Sequence, residues 1–257
     1  MILEAVGQTV DFFGFDHSMH DNIYVSFSGG TDSSLLLYLI CTHLSDKRIV
    51  AHTGTDVSKD PFVKEYAEDI MIWMRKQFPH LNIIHEQYDF NSRDPAHIQQ
   101  ASKEISEAKD KSIFSSVLGH AKSVAQREYK SAMRKKYEIT MSTHGITANP
   151  PIEVQRELGF EHVAESRRNQ WYDPIVVSPS GKNIHHKPFV NVDKKWVAGM
   201  YEKLGLMDNL FPMTMSCIGD NEDSKYYTEP CKKCFWCHEK LWAFGCYDGG
   251  LNPEDVT

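Results

Sequence analysis

Apolar positions in the first third of the chain fall into short unbroken runs that alternate with stretches of helical period. Ile23 to Phe27 is such a run and predicts a buried strand. Ser28, Gly29 and Gly30 then predict a sharp turn, and Ser33 and Ser34 open an apolar helix that ends near His43–Asp46. Arg48 to Gly54 predicts a second strand. Asp60 at the N-cap and Pro61 at the first helical position predict the start of a second helix. Phe62, Tyr66, Ala67, Ile70, Met71 and Met74 then recur at its period. Leu81 to Glu86 predicts a third strand. Strand, helix, strand, helix, strand over 23–86 argues for an α/β fold with a doubly wound parallel sheet.

Outside that region the signals are weaker. Leu3 to Phe13 is expected as a short helix packed on the sheet edge. Residues 90–136 are polar and expected to be helical, with Lys122, Arg127, Lys130, Arg134, Lys135 and Lys136 against one acid, Glu128, over 122–136. A solvated helix face is the common reason for such a run; contact with a phosphate-bearing substrate is the functional one. Tyr137 to Thr143 predicts a fourth strand, and His144–Pro151 a loop at its end, where Gly145 and Asn149 suit a ligand-lining turn. Ile175–Val177 and Lys182–Ile184, joined through Ser178–Gly181, predict a hairpin lying over a substrate. Asp193 caps a helix that ends at Gly205. No repeat or linker divides the 257 residues, so one domain over 1–257 is expected, with a metal-binding subregion at 211–250.

Composition narrows the class. Hydrophobic residues are 41% and charged residues 25%, an ordinary soluble balance. A net charge of −7 argues against direct nucleic-acid binding. No leader-like N-terminus and no long apolar span are seen, so the expectation is a cytoplasmic protein with no membrane partner. Of six cysteines, Cys217, Cys231, Cys234 and Cys237 crowd together as C-x13-C-x2-C-x2-C. Four thiolates at that spacing suit a structural Zn2+; an iron–sulfur cluster can use the same spacing. Cys41 and Cys246 read as packing residues.

A Gly-rich turn between a strand and a helix is an anion cradle. Unpaired N–H groups and the positive helix end meet there, and glycines admit a phosphate. No Lys follows the second Gly, so this is not the G-x-x-x-x-G-K-[ST] loop. Ser-Gly-Gly-x-Asp-Ser over Ser28–Ser33 resembles the pyrophosphate-binding (PP) loop of the ATP pyrophosphatase superfamily. That resemblance implies ATP bound by Ser28, Gly29, Gly30, Thr31, Asp32, Ser33 and Ser34. It also implies an adenine read by backbone at Ala51, His52 and Thr53. Gly145 is added from the loop after the fourth strand.

The same loop, together with Ser216-Cys217, Pro230-Cys231-x-x-Cys234-x-x-Cys237, Ala243-Phe244 and Asp193-Lys194-Lys195 ahead of Leu204-Gly205, resembles 7-cyano-7-deazaguanine synthase. The likeness covers the first ~60 and last ~70 residues, a reach consistent with one globular unit. It implies ATP-dependent conversion of 7-carboxy-7-deazaguanine and ammonia, through the amide, into the nitrile of queuosine biosynthesis. Asp32 would serve as a Mg2+ ligand and Lys194 would neutralise charge at the α phosphate; a homodimer is compatible with it. Thr143–Pro151 departs from the family's usual Tyr-Pro-Asp-Cys stretch. Other readings of the same loop are an adenylating ligase for another carboxylate, a sulfur-handling enzyme (3′-phosphoadenylyl-sulfate reductase or tRNA thiolase), and a zinc-stabilised nucleotide-binding module.

Overall fold

The computed structural model describes residues 1–59, 62–108, 116–160, 168, 172–178, 181–217 and 230–252. The expected helix start at Asp60–Pro61 and the expected hairpin turn at Pro179–Ser180 lie outside the described residues. The chain opens with a hairpin rather than the helix expected over Leu3–Phe13. β1 (Ile2–Ala5) and β2 (Gln8–Asp11) pair antiparallel, Ala5 opposite Gln8. Val6 and Gly7 between them take φ of 44° and 74°, the backbone of a tight two-residue loop. Period two decides it: Val10 and Phe12 are buried while Thr9 and Asp11 face out.

The central pattern follows as expected: β3 (Asn22–Ser26), α1 (Thr31–His43), β4 (Arg48–Asp56), α2 (Val63–Gln77) and β5 (Ile83–Phe90). Then come α3 (Pro95–Glu107), α4 (Val117–Lys136), β6 (Met141–His144), α5 (Ile152–Glu157), β7 (Ile175–Val177), β8 (Ile184–His186), α6 (Lys194–Lys203) and α7 (Phe235–Phe244). The fourth strand of the sheet thus begins four residues later than expected. Tyr137 closes α4, and Glu138 turns the chain with φ of 51°.

The main sheet has the order β5-β4-β3-β6-β8-β7, parallel throughout except for the antiparallel β7 edge. The β7–β8 hairpin is therefore not a cover over a substrate. It extends the sheet, because β8 pairs in parallel with β6. One sheet face carries Ile23, Val25 and Ala51 against α1, α2 and α6. The other carries Tyr24 and Val50 against Met133 of α4 and Ile139. Helices on both faces make the sheet doubly wound. The chain moves outward from β3 through β4 to β5, then returns to place β6 on the other side of β3. That reversal opens a crevice beyond the carboxyl ends of β3 and β6.

Trp196 on α6 is fully buried against Phe189. Trp196→Ala is expected to cost about 3–5 kcal/mol. A urea-unfolding midpoint unchanged from wild type would contradict that packing.

Candidate active site

The turn after β3 lies at this reversal. Gly29 takes φ of 74°, and a Cβ there would sit 2.6 Å from the Tyr66 ring, so the position excludes side chains on two grounds. Ser33 Oγ donates to the Gly30 carbonyl at 3.1 Å and accepts from Ser28 N at 3.2 Å. The loop is thus stapled by its own serine. Gly30 caps α1 without a side-chain bond, which leaves the first-turn N–H groups to whatever fills the crevice. A cavity of about 370 Å3 lies there, within the range of small-molecule sites.

Four charges meet at one wall of that cavity. Lys194, the first residue of α6, places Nζ 2.6 and 2.7 Å from the two Asp32 oxygens. Its Nζ is also 3.8 Å from Glu239 Oε2. Glu239 in turn accepts from Arg168 Nη2 at 2.5 Å. Arg168 also donates to the carbonyls of Thr147 (2.8 Å) and Ala148 (2.9 Å), which fixes the loop after β6. Asp32 and Lys194 line the cavity, and Asp32 is the most exposed of the four, at 18% of its side chain against 6% for Lys194, 4% for Arg168 and 0% for Glu239. Burial pushes the Glu239 carboxyl up, against the pull of Lys194 and Arg168. A buried ammonium at a helix N-terminus is disfavoured twice, by desolvation and by the helix dipole. The two carboxylates hold it there.

The cysteines form the next wall. Cys217, Cys231, Cys234 and Cys237 place their sulfurs within 4.8 Å of one another. The closer pairs are 3.6 Å (Cys234–Cys237), 3.9 Å (Cys231–Cys237) and 4.0 Å (Cys217–Cys234). A tetrahedron with metal–sulfur bonds of about 2.3 Å has edges of about 3.8 Å. The four thiols therefore fit a single ion. A polynuclear cluster, which puts several atoms between its ligands, needs them further apart. The adjoining buried ion pair Lys240–Asp248 tethers this centre to the loop. Asp248 Oδ2 accepts from the backbone N–H of Ser216 (2.9 Å) and Cys217 (2.7 Å). Met215 N donates to the Gly29 carbonyl at 3.1 Å.

Among the residues expected at the site, Ser28, Gly30, Thr31, Asp32, Ser33, Gly145, Lys194 and Cys217 line the cavity. The Ser34 side chain is buried inside α1. Ala51, His52 and Thr53 sit within β4 rather than at its end, because that strand runs on to Asp56; Gly54 lines the cavity instead. Thr53 Oγ1 is spent on the Phe27 carbonyl at 2.8 Å. His52 stacks on Tyr88 and Tyr129, and burial drives its ring pKa down to about 3. Arg168, Glu239, Lys240 and Asp248 are not singled out by the sequence. The available signal was an adjacent Glu-Lys pair inside the otherwise apolar helix Phe235–Phe244.

No family model and no curated protein matches this chain. Solved structures similar to it include the U34-tRNA thiolase NcsA from Methanococcus maripaludis with its [4Fe-4S] cluster, at 12% identity and a TM-score of 0.46, over 90% of this chain and 67% of that one. NMN synthetase from Francisella tularensis is similar at 11% identity and 0.45, over 88% and 78%. Phosphoadenylyl-sulfate reductase from Candida auris is similar at 12% and 0.41, over 79% and 83%. At these identities and scores the likenesses carry no argument about chemistry.

Gly145 gives the sharpest test of the crevice. A Cβ there would lie 2.7 Å from the Asp32 carbonyl oxygen and 3.0 Å from Ser33 N, both backbone atoms. Gly145→Ala is expected to force the two loops apart and weaken ATP binding about ten-fold or more, ~1.4 kcal/mol, with the far-UV circular dichroism unchanged. Wild-type affinity by titration calorimetry would show that ATP does not use this crevice.

Proposed function

We propose that this protein is an ATP pyrophosphatase of the PP-loop type that adenylates a small carboxylate and replaces AMP with ammonia. The observation that carries the reading is the Ser28–Ser33 turn at the sheet's reversal, with Lys194 Nζ poised 2.6 Å from Asp32 at its edge. The loop amides and the α1 N-terminus would hold the β and γ phosphates. A carboxylate oxygen attacks the α phosphorus and pyrophosphate leaves, giving an acyl adenylate. Lys194 supplies positive charge where it develops on the α phosphate. Ammonia adds to the acyl carbon, AMP departs with its bonding pair, and a proton is released. In a second round the amide oxygen attacks another α phosphorus and a second pyrophosphate leaves; departure of AMP and loss of both amide N–H protons then leave a nitrile.

The acceptor that fits the sequence resemblance is 7-carboxy-7-deazaguanine, with 7-cyano-7-deazaguanine as product. Mg2+ on the phosphates would offset their charge, with Asp32 the carboxylate within reach. The four-cysteine centre is read as structural Zn2+, since a closed tetrathiolate leaves no position for water. Among the described residues no helix is long and apolar enough to cross a membrane.

Two measurements test this. Asp32→Asn keeps the side-chain shape and is expected to lower pyrophosphate release about 100-fold or more, in the range seen when one preorganised charge is removed from an active site. Wild-type release by the variant would take Asp32 out of the mechanism. Metal analysis of the purified protein is expected to give about one zinc per chain and no visible colour. Cys231→Ser should lose the ion and lower the melting temperature, while its folded fraction still releases AMP. Stoichiometric iron and a brown protein after anaerobic purification would move the function to sulfur transfer.

A further inference from the structure

The face of the sheet under α4 is apolar only in its lower half. Ile84, Val50 and Tyr24 stand in register there. One step toward the carboxyl ends the registered row becomes Glu86, His52, Ser26 and His144. Four polar side chains in succession across the middle of a parallel sheet are unexpected, since such strands are normally apolar on both faces. Ser26 and His144 at the end of this row line the same cavity as the phosphate loop, as does Lys122 of α4.

The helix above the row brings Arg127 and Lys136, which pair with Glu104 and Glu86, and two further cations, Lys130 and Arg134. Lys130 donates to the neutral Gln126 amide oxygen at 2.6 Å, and Arg134 to the neutral Ser142 hydroxyl at 3.2 Å. Among the described residues neither forms an ion pair with a carboxylate within 4.0 Å. Glu86, the one acid of the row, is already taken by Lys136 at 2.7 Å and by the Tyr137 hydroxyl. Two polar atoms in the same layer, His52 Nε2 and Tyr88 Oη, are buried with no hydrogen-bond partner. Buried polar atoms are almost always paired, so both stand ready to take a partner. Burial, with Lys122 and Arg134 nearby, drives the Lys130 ammonium down to about 8. His144, beside Lys130 and Lys187, is driven down to about 3, chiefly by burial. Lys130 is therefore poorly compensated as a cation, and His144 is held neutral.

We infer that the layer between α4 and this row is an oxyanion subsite, held by Lys130 and Arg134, that takes the carboxylate of the acceptor beside the nucleotide. The inference rests on the adenylating reading for the identity of the acceptor, but not for the presence of an anion site. An anion here would relieve the uncompensated charge and lie next to the cavity where the α phosphate would be attacked.

Titration calorimetry with two probes, 7-carboxy-7-deazaguanine and inorganic sulfate, tests it in the presence of a non-hydrolysable ATP analogue. Lys130→Gln with Arg134→Gln is expected to weaken both probes by about ten-fold or more, the scale of one charge-assisted hydrogen bond. Affinity for the ATP analogue should stay within about two-fold, and Lys130→Arg should retain anion binding. The arginine variant guards against simple misfolding of the double variant. Unchanged sulfate and carboxylate affinity would overturn the subsite. An equal loss of ATP-analogue affinity would overturn it too, by assigning the cations to the nucleotide. Failure of the adenylating reading shows separately, as wild-type protein that binds no ATP analogue, and the sulfate arm then still decides whether the anion site exists.

Discussion

The site depends on placing one lysine where no lysine is stable by itself. Lys194 is buried at the N-terminal end of α6, facing the dipole of its own helix. Asp32 from the phosphate loop and Glu239 from α7 supply the compensating charge, and Arg168 balances the second carboxylate. Two positive and two negative groups make the cluster neutral as a whole. Removing any one leaves a buried charge unmatched, a larger penalty than the pair itself contributes. Through this cluster the first helix, the sixth helix, the seventh helix and the loop after β6 acquire fixed relative positions.

The same constraint explains the arrangement of the C-terminal segment. α7 carries Glu239 and Lys240 side by side, and they turn to opposite tasks. Glu239 completes the charge cluster; Lys240 meets Asp248 and the Thr214 carbonyl at 3.2 Å. Asp248 then orders the backbone of Ser216 and Cys217, and the adjoining Met215 reaches Gly29. Thiolate centre and phosphate loop are two ends of one hydrogen-bonded path. On the proposed reading, an ion held by the four cysteines would stiffen that end of the path.

Local signals were legible where one residue type or one period decides the outcome. The Ser28–Ser33 turn, the strand–helix alternation over 23–86, the Asp193 cap and the clustering of Cys217, Cys231, Cys234 and Cys237 all follow from neighbours in sequence. Lys194 was legible through the motif it sits in. Glu239 and Asp248 were not, because a buried carboxylate is identified by its partner, and those partners lie 71 residues upstream (Arg168) and 8 upstream (Lys240). The N-terminal hairpin is not legible because the six apolar residues in Leu3–Phe13 fit either period; Val6-Gly7, with positive φ at both, settles it. The hairpin Ile175–His186 is legible as a hairpin, but the parallel partner of β8 in β6 lies 43 residues earlier and leaves no mark in the hairpin's own sequence.

The path from Asp248 to Gly29 also sets an order of events during synthesis. β3, the Ser28–Ser33 loop and α1 are made well before α6 and α7, and their apolar core can begin to form as they emerge. Asp32 then waits more than 160 residues for Lys194, and longer for Glu239 behind it. Cys217 has no fixed backbone until residue 248 has been made. A growing chain therefore holds an incomplete crevice until α7 and Asp248 have been made.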